Sequence, residues 1–184
     1  GHDDRMSTVH TIGHSTRPVE DFVALLRGLD ITRVVDIRTV PKSRHNPQYW
    51  HDALAESLAG AGLGYTHVPE LGGLRKRRPD SVNTAWRNAS FQGYADHMGS
   101  EEFGRGLAQL MEIAEAESPV IMCAEAVPWR CHRSLVGDAL LVRGVTVLDV
   151  IGDSAPKPHT LTSFAVVDGE SVTYPGEDEA GEGG

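Results

Sequence analysis

Apolar residues along the chain alternate between short continuous runs and stretches with helical spacing. The run Val9–Ile12 ends at Gly13, and the next apolar residues recur at helical spacing after Pro18. Residues 31–37 form a second, mostly apolar run, which is typical of a strand buried on both faces of a parallel sheet. The pattern therefore predicts a strand, a helix and a second strand at the start of the fold.

The same alternation continues further along the chain. It predicts helices over residues 49–61, 91–98, 102–117 and 131–143, and strands over residues 65–68, 120–123 and 145–151. Two last runs, 164–167 and 171–174, are joined through Asp168 and Gly169 and predict a hairpin at the sheet edge. Residues 71–88 lack useful periodicity and predict a long loop, which in a compact domain is typically functional or disordered.

Strands that alternate with helices predict a single-domain α/β fold, with a mostly parallel sheet covered by helices on both faces and a short C-terminal hairpin. The 184 residues, 40% of them apolar, suit one core rather than two. We expect this domain to span residues 7–175, between a tag remnant or disordered leader at 1–6 and a disordered acidic, glycine-rich tail at 176–184. Ligands of such sheets bind outside the carboxyl ends of the strands.

The distribution of charged residues along the chain indicates which kind of ligand to expect. A net charge of -9 argues against nonspecific binding to nucleic acid, but part of it lies in the predicted tail, and basic residues concentrate in predicted loops. We therefore expect an anionic small molecule or nucleotide as the partner, with nucleic acid as a further candidate. Because no apolar stretch reaches about 18 residues and no signal peptide opens the chain, we expect no membrane partner and a cytoplasmic protein. The sequence defines neither a cofactor nor an oligomeric state.

The largest group of candidate reactive side chains lies between a predicted strand and the helix that follows it. Cys123 and Glu125 leave the strand, and Cys131, His132 and Arg133 stand where the helix starts. Because free backbone N–H groups at a helix amino end favour anions and lower the pKa of a thiol, we predict that Cys131 is a thiolate beside Arg133. Two alternatives stay open: the thiols pack in the core, as buried cysteines do, or they pair as a redox disulfide across the loop.

Three other loops at this edge of the sheet carry further candidates. The first contains His14 as a proton-transfer group and Ser15 as a substrate-binding group, although Ser15 or Thr16 also suits a helix cap. The remaining candidate substrate-binding residues are Asp36, Arg38, Ser43 and Arg44 in the second loop, and Gly72 and Gly73 in the third. The arginines suit a phosphate or carboxylate, and a glycine pair lets backbone approach a ligand. An ion pair between Asp36 and Arg38 is the alternative. The basic run 75–78 is either a solvated segment or a clamp for polyanions.

These residues together resemble a known family. The motifs that carry the resemblance are Thr11-Ile-Gly-His-Ser15, Val35-Asp-Ile-Arg38 with Pro41-x-Ser43-Arg44, Tyr65 with Leu71-Gly-Gly73, and Cys123-x-Glu125 leading to Cys131-His-Arg133. They look like the bacterial family of domain of unknown function 488, and they run in order from about Thr11 to Ile151. The resemblance implies a compact α/β fold and brings no agreed activity with it.

The first functional hypothesis is an enzyme, a thiol-dependent transferase or hydrolase acting on a phosphorylated small molecule, a nucleotide or a nucleic-acid end. In it Arg38, Arg44 and Arg133 hold the anion, a cysteine thiolate attacks, and Glu125 or His14 moves protons. The second hypothesis is a module that binds a nucleotide or nucleic acid in the same crevice without turnover. A third is a metal site built from the Cys and His residues with His14 as an outside ligand, although the spacing fits a metal poorly.

Overall fold

A computed structural model describes residues 7–41 and 45–176 of the chain. The strands are β1 (Thr8–Gly13), β2 (Arg33–Asp36), β3 (Gly64–His67), β4 (Pro119–Cys123), β5 (Thr146–Asp149), β6 (Lys157–Pro158), β7 (Val166–Asp168) and β8 (Ser171–Thr173). The helices are α1 (Val19–Gly28), α2 (His51–Gly60), α3 (Ala89–His97), α4 (Glu101–Ala116) and α5 (Arg133–Leu141). Short 3-10 helices span Pro47–Tyr49, Pro69–Leu71 and Pro128–Arg130. The predicted leader, Ser43, Arg44 and the tail from residue 177 onward lie outside the described residues.

The central sheet has six strands in the order β3-β2-β4-β1-β5-β6. The first five strands are parallel and β6 is antiparallel to β5, so the predicted α/β fold with a mostly parallel sheet is confirmed. The chain leaves β1 towards β2 but leaves β4 towards β5, in opposite directions. Such a reversal opens a crevice at the carboxyl ends of the two neighbouring strands, where ligands of open α/β sheets bind.

Residues of the central strands alternate between two apolar cores. In β4, Val120 and Met122 belong to a core with Phe22 and Leu26 of α1, whereas Ile121 lies in the opposite core. The second core contains most of the buried residues from α3, α4 and α5. Because successive side chains of a strand point to opposite faces, a run that is apolar at every position requires both faces to be covered. The helices therefore lie on both faces of the sheet.

The hairpin is present, but its predicted position at the sheet edge is wrong. Among the described residues, strands β7 and β8 pair only with each other, and the edge strands of the main sheet are β3 and the two-residue strand β6. Val166 and Val167 are exposed, whereas Tyr174 just after β8 is buried and its backbone bonds Asn83 and Ala85. The hairpin is thus anchored to the long loop rather than to the sheet.

Residues 72–88 form neither helix nor strand, as predicted, but the loop is tied to α3. The buried Asp96 carboxylate accepts hydrogen bonds from the backbone N–H of Arg78, the Ser81 hydroxyl and the Asn83 amide at 2.6 to 2.7 Å. Since a buried carboxylate must be satisfied by donors, this cluster fixes the course of the loop. The loop is therefore held in a defined position against α3.

Gly13, at the end of β1, allows another part of the chain to approach closely. A Cβ atom at Gly13 would lie 1.4 Å from the backbone oxygen of Glu125 and 2.9 Å from an Arg133 guanidinium nitrogen. Only a residue without a side chain fits between β1 and the loop after β4. This contact brings the Cys123 to Arg133 segment over the crevice.

We expect Gly13→Ala to lower the free energy of unfolding by about 3 kcal/mol or more, because the clash is with backbone that cannot rotate away. The measurement is urea denaturation followed by circular dichroism. The control is Gly60→Ala in α2, where an added Cβ meets nothing within 4 Å. That variant should gain up to about 1 kcal/mol from helix propensity. Equal stabilities of the two variants would contradict the close-approach argument.

Candidate functional site

A cavity of about 540 Å³ opens at the carboxyl edge of the sheet. Of the predicted site residues, it is lined by Arg38, Gly73, Cys123, Glu125, Cys131 and His132. The strand ends after β2 and β4 supply most of them, as the sheet topology requires. The volume is in the range of small-molecule sites, about 300 to 1,000 Å³.

Several residues that were not predicted as site residues also line the cavity. They include Val40, Leu74, Phe91, Tyr94 and Arg130. Leu74 is 83% exposed and has a φ of 59°, and Val40 is 64% exposed, so both present apolar surface at the cavity mouth. Phe91 and Tyr94 carry little signal of a site in the sequence, because they follow the apolar spacing of a helix. Arg130 lies within the predicted Cys123 to Arg133 segment.

Arg133 is completely buried beneath the cavity. Its Nη1 lies 2.9 Å from Cys123 Sγ and also donates to the backbone oxygen of Glu125, while Nη2 donates to Ala126 O at 3.2 Å. Its Nε lies 3.4 Å from the Thr11 hydroxyl. The guanidinium that was expected to hold a substrate anion therefore contacts the chain itself and does not line the cavity.

The two thiols differ in electrostatic environment. Burial alone raises the pKa of Cys123, but the neighbouring Cys131 thiol and the Arg133 guanidinium outweigh it and lower that pKa to about 7. Burial and the nearby Cys123 sulfur raise the pKa of Cys131 well above its usual value. The structure thus favours Cys123 as the thiolate, where the sequence predicted Cys131. The reason is that Cys131 receives only the backbone N–H of Arg133, at 3.4 Å.

His132 lies beside Cys131 as a neutral imidazole. Burial lowers its pKa to about 4. Its Nε2 lies 2.9 Å from Ile37 O, and since a carbonyl only accepts, this nitrogen carries the proton. The other nitrogen, Nδ1, is then an acceptor 3.5 Å from Cys131 Sγ. His132 can therefore share the proton of the Cys131 thiol.

His14 is buried next to the cavity without lining it. Its Nδ1 donates to Ser15 O at 2.7 Å, its Nε2 lies 3.3 Å from Arg38 Nη1, and its ring stacks on Tyr49 with a centroid distance of 4.2 Å. Burial lowers its pKa to about 4. Both ring nitrogens are engaged, so His14 orients Arg38.

Asp36 and Arg38 form a buried ion pair. Arg38 Nη2 lies 2.6 Å from Asp36 Oδ2, and Arg38 Nε lies 2.9 Å from Asp36 Oδ1. The Tyr65 hydroxyl also donates to Asp36 at 2.5 Å. Asp36 thus lies behind Arg38, which itself lines the cavity. The charge of this arginine is already balanced by a carboxylate.

The remaining predicted residues shape the loops around the cavity. Ser15, with a φ of 51°, donates its backbone N–H to Ala124 O, and α1 begins after Pro18 without a side-chain cap, so the predicted cap is wrong. Gly73 O accepts a hydrogen bond from the Thr39 hydroxyl at 2.6 Å, and Gly72 packs on the same residue. The glycine pair joins the long loop to the end of β2.

The basic run divides into one anchored residue and three exposed ones. Arg75 donates to the backbone oxygens of Pro69 and Gly72 and pairs with Glu102 at 2.8 Å. Residues 76–78 are exposed. Within residues 7–41 and 45–176, no three His, Cys, Asp or Glu side chains are grouped so that they could hold a metal ion.

The fold and the site define an α/β protein with a cavity at the carboxyl edge of its sheet, lined by two free thiols. A family model described as "Domain of unknown function DUF488" matches residues 18–140, more than half of the chain. The chain belongs to this family, in agreement with the resemblance seen in its motifs. Comparison with curated proteins and with solved structures gave no match. In the part of the chain that the structure describes, no helix is long and apolar enough to cross a membrane.

We expect the alkylation rate of Cys123 by iodoacetamide to rise with pH around a midpoint of about 7, because only the thiolate reacts. Arg133→Gln should raise the midpoint, since it removes the cation next to the sulfur. Tryptic cleavage at Arg130 separates the two cysteines, so mass spectrometry reports each one. Arg143→Gln, at the far end of α5, is the control and should leave the midpoint unchanged. A Cys123 midpoint that does not move in Arg133→Gln would refute the assignment.

Proposed function

We propose that this protein is a cysteine-dependent transferase or hydrolase in which the Cys123 thiolate attacks a small anionic substrate, such as a nucleotide or another phosphorylated compound. The observation that carries the proposal is the buried Arg133 guanidinium, 2.9 Å from Cys123 Sγ. Among the described residues no carboxylate lies within 4.0 Å of it. Because a buried cation without a counter-ion is strongly unfavourable, a thiolate at Cys123 supplies the balancing charge.

In a nucleophilic displacement, one thiol would act as the nucleophile and the other as the proton donor. The Cys123 sulfur forms a bond to an electrophilic carbon or phosphorus, the bond to the leaving group breaks, and the leaving group takes the proton of the Cys131 thiol. Water or an acceptor molecule then displaces the Cys123 thiolate and returns a proton to Cys131. His132 Nδ1, 3.5 Å from the Cys131 sulfur, holds that proton in place, and Glu125 at the cavity orients the incoming nucleophile.

The remaining cavity wall supports a substrate with an anionic and an apolar part. Arg130 presents an exposed guanidinium, and Arg38 contributes a second one that is already paired. Phe91 stacks on Trp86 with a centroid distance of 4.9 Å and also lines the cavity, next to Leu74. A ring such as a nucleobase suits this apolar side, while a phosphate suits Arg130.

One observation favours the second candidate, a module that binds nucleic-acid ends without turnover. The exposed basic residues 76–78 and Arg87 belong to the same loop, and this loop joins Leu74 to Asn88, both of which line the cavity. A polyanion whose end enters the cavity would therefore pass basic side chains. Such contacts between exposed charges weaken as ionic strength rises.

We expect nucleoside monophosphates to protect Cys123 from alkylation, and Arg130→Ala to weaken this protection about tenfold or more, because a charge-assisted hydrogen bond is lost. The midpoint concentration for protection is the measurement. The control is Arg105→Ala, an exposed arginine of α4 away from the cavity.

Two outcomes separate the candidate functions. In the enzyme, intact-mass analysis finds a substrate fragment on Cys123, and Cys123→Ser retains binding while losing both the adduct and turnover. Should neutralising residues 76–78 abolish binding while Arg130→Ala leaves it unchanged, the binding module is the better description.

A further inference from the structure

A second group of buried polar side chains is centred on His159, and most of its members lie outside the span of the family match. His159 follows β6, and its ring lies between two carboxylates: Nδ1 is 2.8 Å from Asp149 Oδ2, and Nε2 is 3.0 Å from Asp138 Oδ1. The His159 side chain is only 5% exposed. Because both ring nitrogens face acceptors, the ring carries two protons and a positive charge.

The charge of His159 is stabilised by its surroundings. Burial lowers the pKa of His159, but Asp138 and Asp149 outweigh it and raise that pKa to about 9. The Tyr174 hydroxyl and the Thr162 backbone N–H also donate to Asp138. The imidazolium is therefore part of a closed network joining α5, β5 and the C-terminal segment.

This network continues to the thiol site. Thr11 donates its hydroxyl to Asp149 Oδ1 at 2.6 Å, and its oxygen lies 3.4 Å from Arg133 Nε. Arg133 also attracts Asp149 electrostatically, since it helps to keep the pKa of that carboxyl low. The chain of contacts thus runs from His159 through Asp149 and Thr11 to Arg133, and from there to Cys123.

The His159 ring packs closely against the backbone of α5. A Cβ atom at Gly137 in α5 would lie 2.8 Å from His159 Nε2, so the ring lies directly on the helix backbone. Asp138, the next residue, is completely buried. A buried carboxylate that lost this cation would need another one, and Arg133 is the nearest candidate along the contacts described above.

We infer that His159 is a positioning residue for Cys123: by occupying both carboxylates, it leaves the Arg133 guanidinium directed at the Cys123 sulfur. Without His159, Arg133 would be drawn towards Asp149 and away from the thiol. The inference deepens the proposed function, on which it rests, because it explains how segment 146–176 sustains the reactivity of Cys123.

The test is the pH midpoint of Cys123 alkylation by iodoacetamide in the full chain, resolved by mass spectrometry. His159→Gln removes the cation and keeps hydrogen-bonding capacity, so we expect the midpoint to rise by about one pH unit, with an alkylation rate at pH 7 about fivefold lower. The double variant His159→Gln, Asp149→Asn removes one charge of each sign. We expect it to return the midpoint towards that of the wild type, which a merely structural role for His159 would not do.

Thr11→Val keeps shape and charge while it breaks the link between Asp149 and Arg133, so it provides a second test if His159→Gln fails to fold. We expect the Cys123 midpoint to rise in this variant as well, because Asp149 loses the Thr11 hydroxyl donor and then attracts the Arg133 guanidinium more strongly. The matched control is Thr146→Val, at the amino end of the neighbouring strand β5, which should leave the midpoint unchanged. Circular dichroism verifies that each variant is folded.

The outcomes also separate the two proposals. An unchanged midpoint in folded His159→Gln or in Thr11→Val overturns the positioning role, as does a double variant that shifts the midpoint as far as the single one. The proposed function fails instead if Cys123 of the wild type titrates like an ordinary thiol, near pH 8.5. The shift between wild type and His159→Gln is measurable in either case.

Discussion

A single buried cation, Arg133, organises the carboxyl edge of this sheet. A guanidinium remains charged at any physiological pH, so the fold must surround it with acceptors. The acceptors come from three separate places: the backbone oxygens after β4, the Cys123 sulfur and the Thr11 hydroxyl in β1. The hydrogen bonds of the Arg133 side chain therefore join β1, β4 and α5. They do so at the crevice where the strand connections reverse direction.

The two buried arginines of the site differ in the group that balances their charge. Arg38 is held by the Asp36 carboxylate in a buried ion pair at 2.6 Å. Arg133 has a sulfur in the corresponding place, and the charge of a thiol depends on its surroundings. The first arginine is neutralised whether or not a ligand is present. The second stabilises the thiolate form of Cys123 and so lowers its pKa. Burial keeps the His132 imidazole neutral and raises the pKa of Cys131.

Much of the fold could be predicted from periodicity, because short apolar runs such as β4 alternate with segments of helical spacing such as α1 and α4. The edge strand β6 could not, since the two residues Lys157 and Pro158 carry no pattern. The site was predictable as a set of loops, because parallel strands end at one edge of the sheet. The direction of the Arg133 side chain was not. It depends on a close approach at Gly13, which lies far away in the sequence.

The same limit explains why the sequence and the structure favour different thiols as the thiolate. Proximity to the start of α5 favours Cys131, because free N–H groups at a helix end stabilise an anion. The helix begins only at Arg133, however, and contributes a single backbone N–H to Cys131 at 3.4 Å. A full guanidinium charge 2.9 Å from Cys123 outweighs that partial charge. Because the two sulfurs interact, ionising one thiol disfavours ionising the other, so the position of the Arg133 side chain decides which thiol ionises first.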